Sequence, residues 1–143
     1  MNNNLIITIG REYGTGGREI GQKLALRLGI PFYDRELITR AAKKTGFDEK
    51  LFEQLDKRAT NSFLYSLTMF GSVGLNGMSL TDQLYLAQSN VIREMAEESS
   101  CVIVGRCADH VLRDFSNRVD FFIHGSIEDR VKRIQSCGDY EIE

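Results

Sequence analysis

The residues best suited to chemistry lie between Gly10 and Glu19, where Gly10-Arg-Glu-Tyr-Gly14-Thr-Gly16-Gly17-Arg18-Glu19 carries four glycines in ten positions. Glycine takes positive φ without penalty and lets a ligand approach the backbone closely. Where a helix opens after such a turn, its first amides and its dipole both favour an anion. Gly14, Thr15, Gly16 and Gly17, with Arg18 and Glu19 beginning the helix, are therefore the candidate phosphate cradle. The Walker A pattern G-x-x-x-x-G-K-[ST] is not met. Aligning Gly16 with its second glycine puts Gly17 at the lysine position and Arg18 at the hydroxyl position. Arg18 opposes the dipole of the helix it begins, which makes sense with an anion beside it; a solvated arginine is the alternative. Glu19 reads first as an ordinary first-turn acid, and a place near Mg²⁺ is its other reading.

Further candidates follow the later apolar runs. Arg106 comes directly after Gly105 and the run Cys101-Val-Ile-Val104, so it is placed to face a ligand; a salt bridge to Asp109 is its structural alternative. Asp34 follows Phe32-Tyr33 and suits either a helix cap or a ligand contact. Arg130 and Arg133, three apart, share one helix face, which most simply is a solvated face. Cys107 and His110 form C-x-x-H, but zinc needs three or four ligands, and only His124 and two distant cysteines remain, so no metal site is assigned. The cysteines, Cys101, Cys107 and Cys137, are odd in number and read as free thiols of a reducing compartment, with Cys101 a small buried residue.

These groups need a frame that brings them to one edge. Leu5–Ile9 and Cys101–Val104 read as buried strands, Ile30–Tyr33 as a short second strand and Val119–Ile123 as a fourth strand. Between them, Arg18–Leu28 reads as a helix ended by Gly29, with Ile20, Leu24 and Leu28 as its inward stripe. Another helix runs from Asp34 to Gly46 with Leu37, Ile38, Ala41 and Ala42. The spacing of Leu80, Leu84, Ala87, Val91 and Met95 predicts a long helix over 79–98, and shorter ones are expected over 108–115 and from Ser126 onward, the last carrying Ile127, Val131 and Ile134. Asp48–Arg58 and Asn61–Phe70 are read as helices and Gly71–Gly77 as a loop. The β-α-β-α order implies an α/β fold, a parallel sheet with helices on both faces, whose ligands bind at the carboxyl ends of the strands. Residues 1–143 form one such domain, with a helical and loop insertion over 48–78.

Net charge is −2 and the pI about 5.7, which argues against nucleic acid as a partner. No apolar stretch approaches ~18 residues, and the Met-Asn-Asn-Asn start lacks a basic region, so neither a membrane span nor a signal peptide is expected and the cytoplasm is the default. Phe63, Tyr65, Leu67, Met69 and Phe70 suit a small core, with a homo-oligomer contact as the alternative.

The blocks Ile9–Gly21, Leu28–Ile38, Val102–Arg106 and Phe121–Arg133 together resemble the cytidylate kinase-like proteins, a branch of the P-loop nucleoside monophosphate kinases. The likeness covers most of the chain and is poorest between Asp48 and Ser79. It implies transfer of the γ-phosphoryl of ATP or another triphosphate, with Mg²⁺ as co-substrate and no tightly bound cofactor, to a nucleoside monophosphate. Cytidylate kinases carry D-S-G-x-x-Y-R after the second strand; here Asp34 and Arg40 match and the serine, glycine and tyrosine do not. The family's glycine-arginine after the third strand matches Gly105-Arg106, and its E-E-R-x-x-R matches Glu128–Arg133. The resemblance thus implies donor contacts from Arg18, acceptor contacts from Asp34, Arg40 and Arg106, catalytic roles for Arg18 and Arg106, and lid-side places for Arg130 and Arg133. It also implies a C-terminal lid and a last strand that the 143 residues do not include. A non-catalytic nucleotide-binding regulatory module is the alternative, favoured by the missing lysine.

Overall fold

The computed structural model describes residues 4–44 and 80–137. The readings for 48–78, including the insertion, and for the close of a helix at Gly46 lie outside the described residues. The chain divides into two compact units, Met1–Glu36 with Ile92–Glu143, and Leu37–Val91.

The first unit is built on a parallel sheet. Strands β1 (Ile6–Arg11), β2 (Phe32–Tyr33), β3 (Cys101–Val104) and β4 (Arg118–Ile123) lie in the order β2-β3-β1-β4. The helices are α1 (Gly17–Leu28), α2 (Arg35–Lys44), α3 (Leu80–Glu98), α4 (Ala108–Val111) and α5 (Ile127–Cys137). β1 runs two residues past the predicted end and pairs with β3 and β4, which is why an unbroken β-branched run is required there. The register alternates cleanly. Ile7 and Ile9 stand beside Val102 and Val104 and pack with Ala25 of α1, while Ile6 and Thr8 stand beside Cys101 and Ile103 on the opposite face. Both sets are buried, so both faces of the central strands are covered. Buried Thr8 donates its hydroxyl to Asp120 Oδ1 at 2.6 Å, and Arg118 Nε donates to Asp120 Oδ2 at 2.9 Å.

Three expectations need correction. The inward stripe of α1 is Gly17, Gly21 and Ala25; of the expected stripe Leu24 packs against this core, while Ile20 and Leu28 are 45% and 47% exposed. The cause is closeness: a Cβ on Gly21 would lie 2.8 Å from Val104 Cγ2 and 3.0 Å from Phe32 Cε2, so large side chains cannot face the sheet there. Similarly, Ile127 and Val131 of α5 are exposed, and only Ile134 turns inward, against Gly14. Finally, β2 and α4 are shorter than expected, two and four residues. Pro31 precedes β2 and contributes only its carbonyl, which accepts from Val102 N at 2.9 Å. The Gly29 stop of α1 holds, at φ 65° with its amide bonded to the last turn. Ser126 caps α5, its Oγ accepting from Asp129 N at 3.1 Å.

In the second unit, α2 and α3 contribute buried Ile38, Ala87 and Val91, and Gln88 Nε2 donates to Thr39 Oγ1 at 3.3 Å. No helix among the described residues is long and apolar enough to cross a membrane.

Cys101 is fully buried, and burial pushes its thiol up from 9.0 to about 11. Between those values the unfolded chain has released the thiol proton and the native chain keeps it. Stability is therefore fully present below pH 9 and falls as pH rises toward 11. A gap of that size corresponds to about 2–3 kcal/mol. Urea unfolding across this range should show the decline, and Cys101→Ala should lose that part of it. An identical decline in the variant would contradict the assignment.

Candidate functional site

β1 ends in a turn whose conformation depends on glycine. Gly14 and Gly16 have φ of 84° and 78°, and Gly16 forms the N-terminal cap of α1 in the left-handed region. The first amide of α1 with a helical acceptor is Ile20 N, bonded to Gly16 O at 3.0 Å. The amides of Gly17, Arg18 and Glu19 come before it, and no side chain among the described residues caps the helix. Thr15 closes the turn on itself, its Oγ1 donating to Glu12 O at 2.8 Å. The result is a twelve-residue helix whose first amides, those of Gly17, Arg18 and Glu19, have no side-chain cap among the described residues.

The strand order sets where this loop lies. The connection leaving β1 leads outward past β3 to β2, and the connection leaving β3 leads back past β1 to β4. The carboxyl ends of β1 and β3 therefore flank the point where the winding reverses, the place where open parallel sheets bind ligands. Gly105, Arg106 and Cys107 follow β3 there with three consecutive positive φ values, 77°, 56° and 51°. Two of the three are not glycine, and such backbone is sparsely populated and costs energy. Arg106 is half-buried at this turn.

The charged candidates are largely held by one another. Arg18, expected at the donor phosphates, donates Nε to Asp34 Oδ2 at 2.7 Å, and Asp34, expected on the acceptor side, is buried. Glu19 takes Lys23 Nζ at 2.6 Å on one oxygen and Arg133 on the other, and these two cations hold its carboxyl below the usual range, Lys23 most strongly. Arg133 lies over the loop: a Cβ on Gly16 would be 2.6 Å from its Cζ. Arg130 donates Nε to Tyr13 O at 2.5 Å and pairs with Glu12 at 3.4 Å. α5 thus brings both its arginines onto the glycine loop, a placement that helical periodicity alone did not distinguish from a solvated face. Arg40 is on α2 in the second unit, and its side chain lies outside the described residues.

Two residues at the loop were missed in the sequence. Glu12 accepts from Gly125 N at 3.1 Å and so ties the loop to the β4–α5 turn. Arg11 is the last residue of β1, and its side chain runs from Gly17 to Gly105. A strand ending at Ile9 places both in the turn, whereas the strand continues to Arg11.

A parallel sheet in the order β2-β3-β1-β4, with the glycine loop after its central strand, is the P-loop kinase fold. The chain belongs to the cytidylate kinase-like family, which it matches over residues 6–141. It is also similar to the crystal structure of an uncharacterized protein from Eubacterium ventriosum, with 29% identity and a TM-score of 0.65, over 96% of this chain and 64% of that one. The chain therefore spans less than two thirds of that protein's length. Among curated proteins none matches. Membership of the family suggests a nucleotide-binding, kinase-like function.

Proposed function

We propose that this chain binds the phosphates of ATP, or another nucleoside triphosphate, on the glycine loop and carries the γ-phosphoryl to a nucleoside monophosphate of the CMP type. The observation that carries the reading is the uncapped N-terminus of α1 at the winding reversal, with Arg11 at the end of β1, Arg18 in the first turn of α1, Arg106 after β3 and Arg133 on α5. Phosphoryl transfer needs positioning and charge neutralisation more than covalent chemistry, and amides plus guanidinium groups supply both. Gly14–Gly17 and the amides of Arg18 and Glu19 hold the donor phosphates. Arg106, with Asp34, serves the acceptor. Mg²⁺ arrives with the triphosphate, and no residue is assigned to it, since the carboxylates beside the loop, Glu12, Asp34 and Glu19, are engaged by Arg130, Arg18, Lys23 and Arg133.

The second reading, a nucleotide-binding regulatory module, is favoured by Gly17 in place of the lysine. Transfer from γ-labelled ATP to CMP, UMP and AMP separates the two. Labelled diphosphate with at least one acceptor is expected; ATP binding without transfer to any of them would leave the regulatory reading.

A further inference from the structure

We propose that Arg11 supplies, from the end of β1, the cation that P-loop kinases otherwise place as lysine in the position of Gly17. The inference rests on reading the glycine loop as the triphosphate seat. Its basis is steric. A Cβ on Gly17 would lie 2.7 Å from Arg11 Cβ and 2.9 Å from Arg11 Cγ, so the stem of Arg11 occupies the room a side chain at 17 needs. The head of Arg11 continues to the second loop, where a Cβ on Gly105 would lie 2.5 Å from its Nη1. Gly105 is thus required twice, for its positive φ and for the guanidinium over it. An arginine at 11 and a lysine at 17 exclude each other.

The sequence shows the same exchange. Arg11 stands five residues before Gly16, where the pattern G-x-x-x-x-G-K has its first glycine. Relative to that pattern, the glycine and the cation have traded places between positions 11 and 17. The head of Arg11 then lies between the loops after β1 and β3, at the winding reversal where the donor polyphosphate would sit. Guanidinium has five donors in a planar fork, so it can keep a protein partner on one edge and take phosphate oxygens on another. A lysine reaching up from position 17 would act as a point charge from one side of the loop. Arg11 reaches across both loops and links phosphate binding on the first to the backbone of Gly105 on the second.

The test is calorimetric titration with ATP of the wild-type chain, Arg11→Met, Arg11→Gly, Gly17→Lys and the double variant Arg11→Gly/Gly17→Lys. Arg11→Met keeps the apolar stem and should melt near wild type, yet lose about 10–100-fold in ATP affinity, the scale of charged hydrogen bonds. The double variant rebuilds the ordinary pattern and should recover most of what Arg11→Gly loses, whereas Gly17→Lys with Arg11 still present should gain nothing. Wild-type affinity in Arg11→Met, or improved affinity in Gly17→Lys alone, would overturn the proposal while leaving the loop as the ATP site. A folded double variant that binds no better than Arg11→Gly would also overturn it. Absence of ATP binding by the wild-type chain would remove this proposal together with the reading it rests on.

Discussion

Gly21→Val should destabilise the first unit by about 2–3 kcal/mol. The reason is the spacing between α1 and the sheet. A Cβ at position 21 would meet Val104 Cγ2 at 2.8 Å, Phe32 Cε2 at 3.0 Å and Ile9 Cδ1 at 3.3 Å, and these atoms belong to three adjacent strands of a packed core. The neighbours cannot swing away as the end of a surface arginine can, so α1 must lift off the sheet. Lifting α1 would also displace the glycine loop that feeds it, so ATP affinity should fall along with stability. The better helix propensity of valine over glycine returns only about 0.3 kcal/mol. Chemical denaturation measures the loss, and Gln22→Val, one position along on the exposed face, should stay within about 0.5 kcal/mol of wild type. A loss at 21 no larger than the one at 22 would contradict close packing of α1 on the sheet as its cause.

Arg106→Gly should divide binding from stability more sharply than any other substitution. Arg106 sits at φ 56° between two other left-handed residues, a conformation that costs an L side chain roughly 1–2 kcal/mol and glycine little. A residue kept there against its backbone preference is kept for its side chain. Glycine relieves the strain and gives some of it back through a more flexible unfolded chain, so stability should remain within about 1 kcal/mol of wild type. Affinity for CMP should fall by about 10–100-fold, as expected when charged hydrogen bonds to a phosphate are lost. Thermal melting and CMP titration of the same preparation measure both. A variant that binds CMP normally, or one that unfolds, would remove Arg106 from the acceptor site.

The strands were legible because β-branched runs buried on both faces leave little else for the chain to do: Cys101–Val104 ran as expected and β1 began within one residue of it. The glycine loop was legible for a related reason, since glycines between a buried strand and a helix have few other uses. Side-chain direction was less so. Of the stripe Ile20, Leu24 and Leu28, only Leu24 packs on the core, because a helix this close to its sheet buries glycine and alanine along its centre. Periodicity records which residues are apolar, and closeness decides which of them fit. The partners of the charged residues were not legible either. Arg18 with Asp34, and Arg133 with Glu19, join segments far apart in the chain, and local spacing carries no sign of such pairs. Arg11 was hidden by a boundary two residues too early.

The central claim is that the glycine loop is a nucleotide-phosphate site, and an amide NMR titration of the nitrogen-15-labelled chain with ATP tests it most directly. The account predicts saturable shifts at the amides of Gly16, Gly17, Arg18 and Glu19, the uncapped start of α1, with a rise in melting temperature because ATP binds the folded state alone. Unmoved resonances at those four amides under excess ATP, with an unchanged melting temperature, would contradict it.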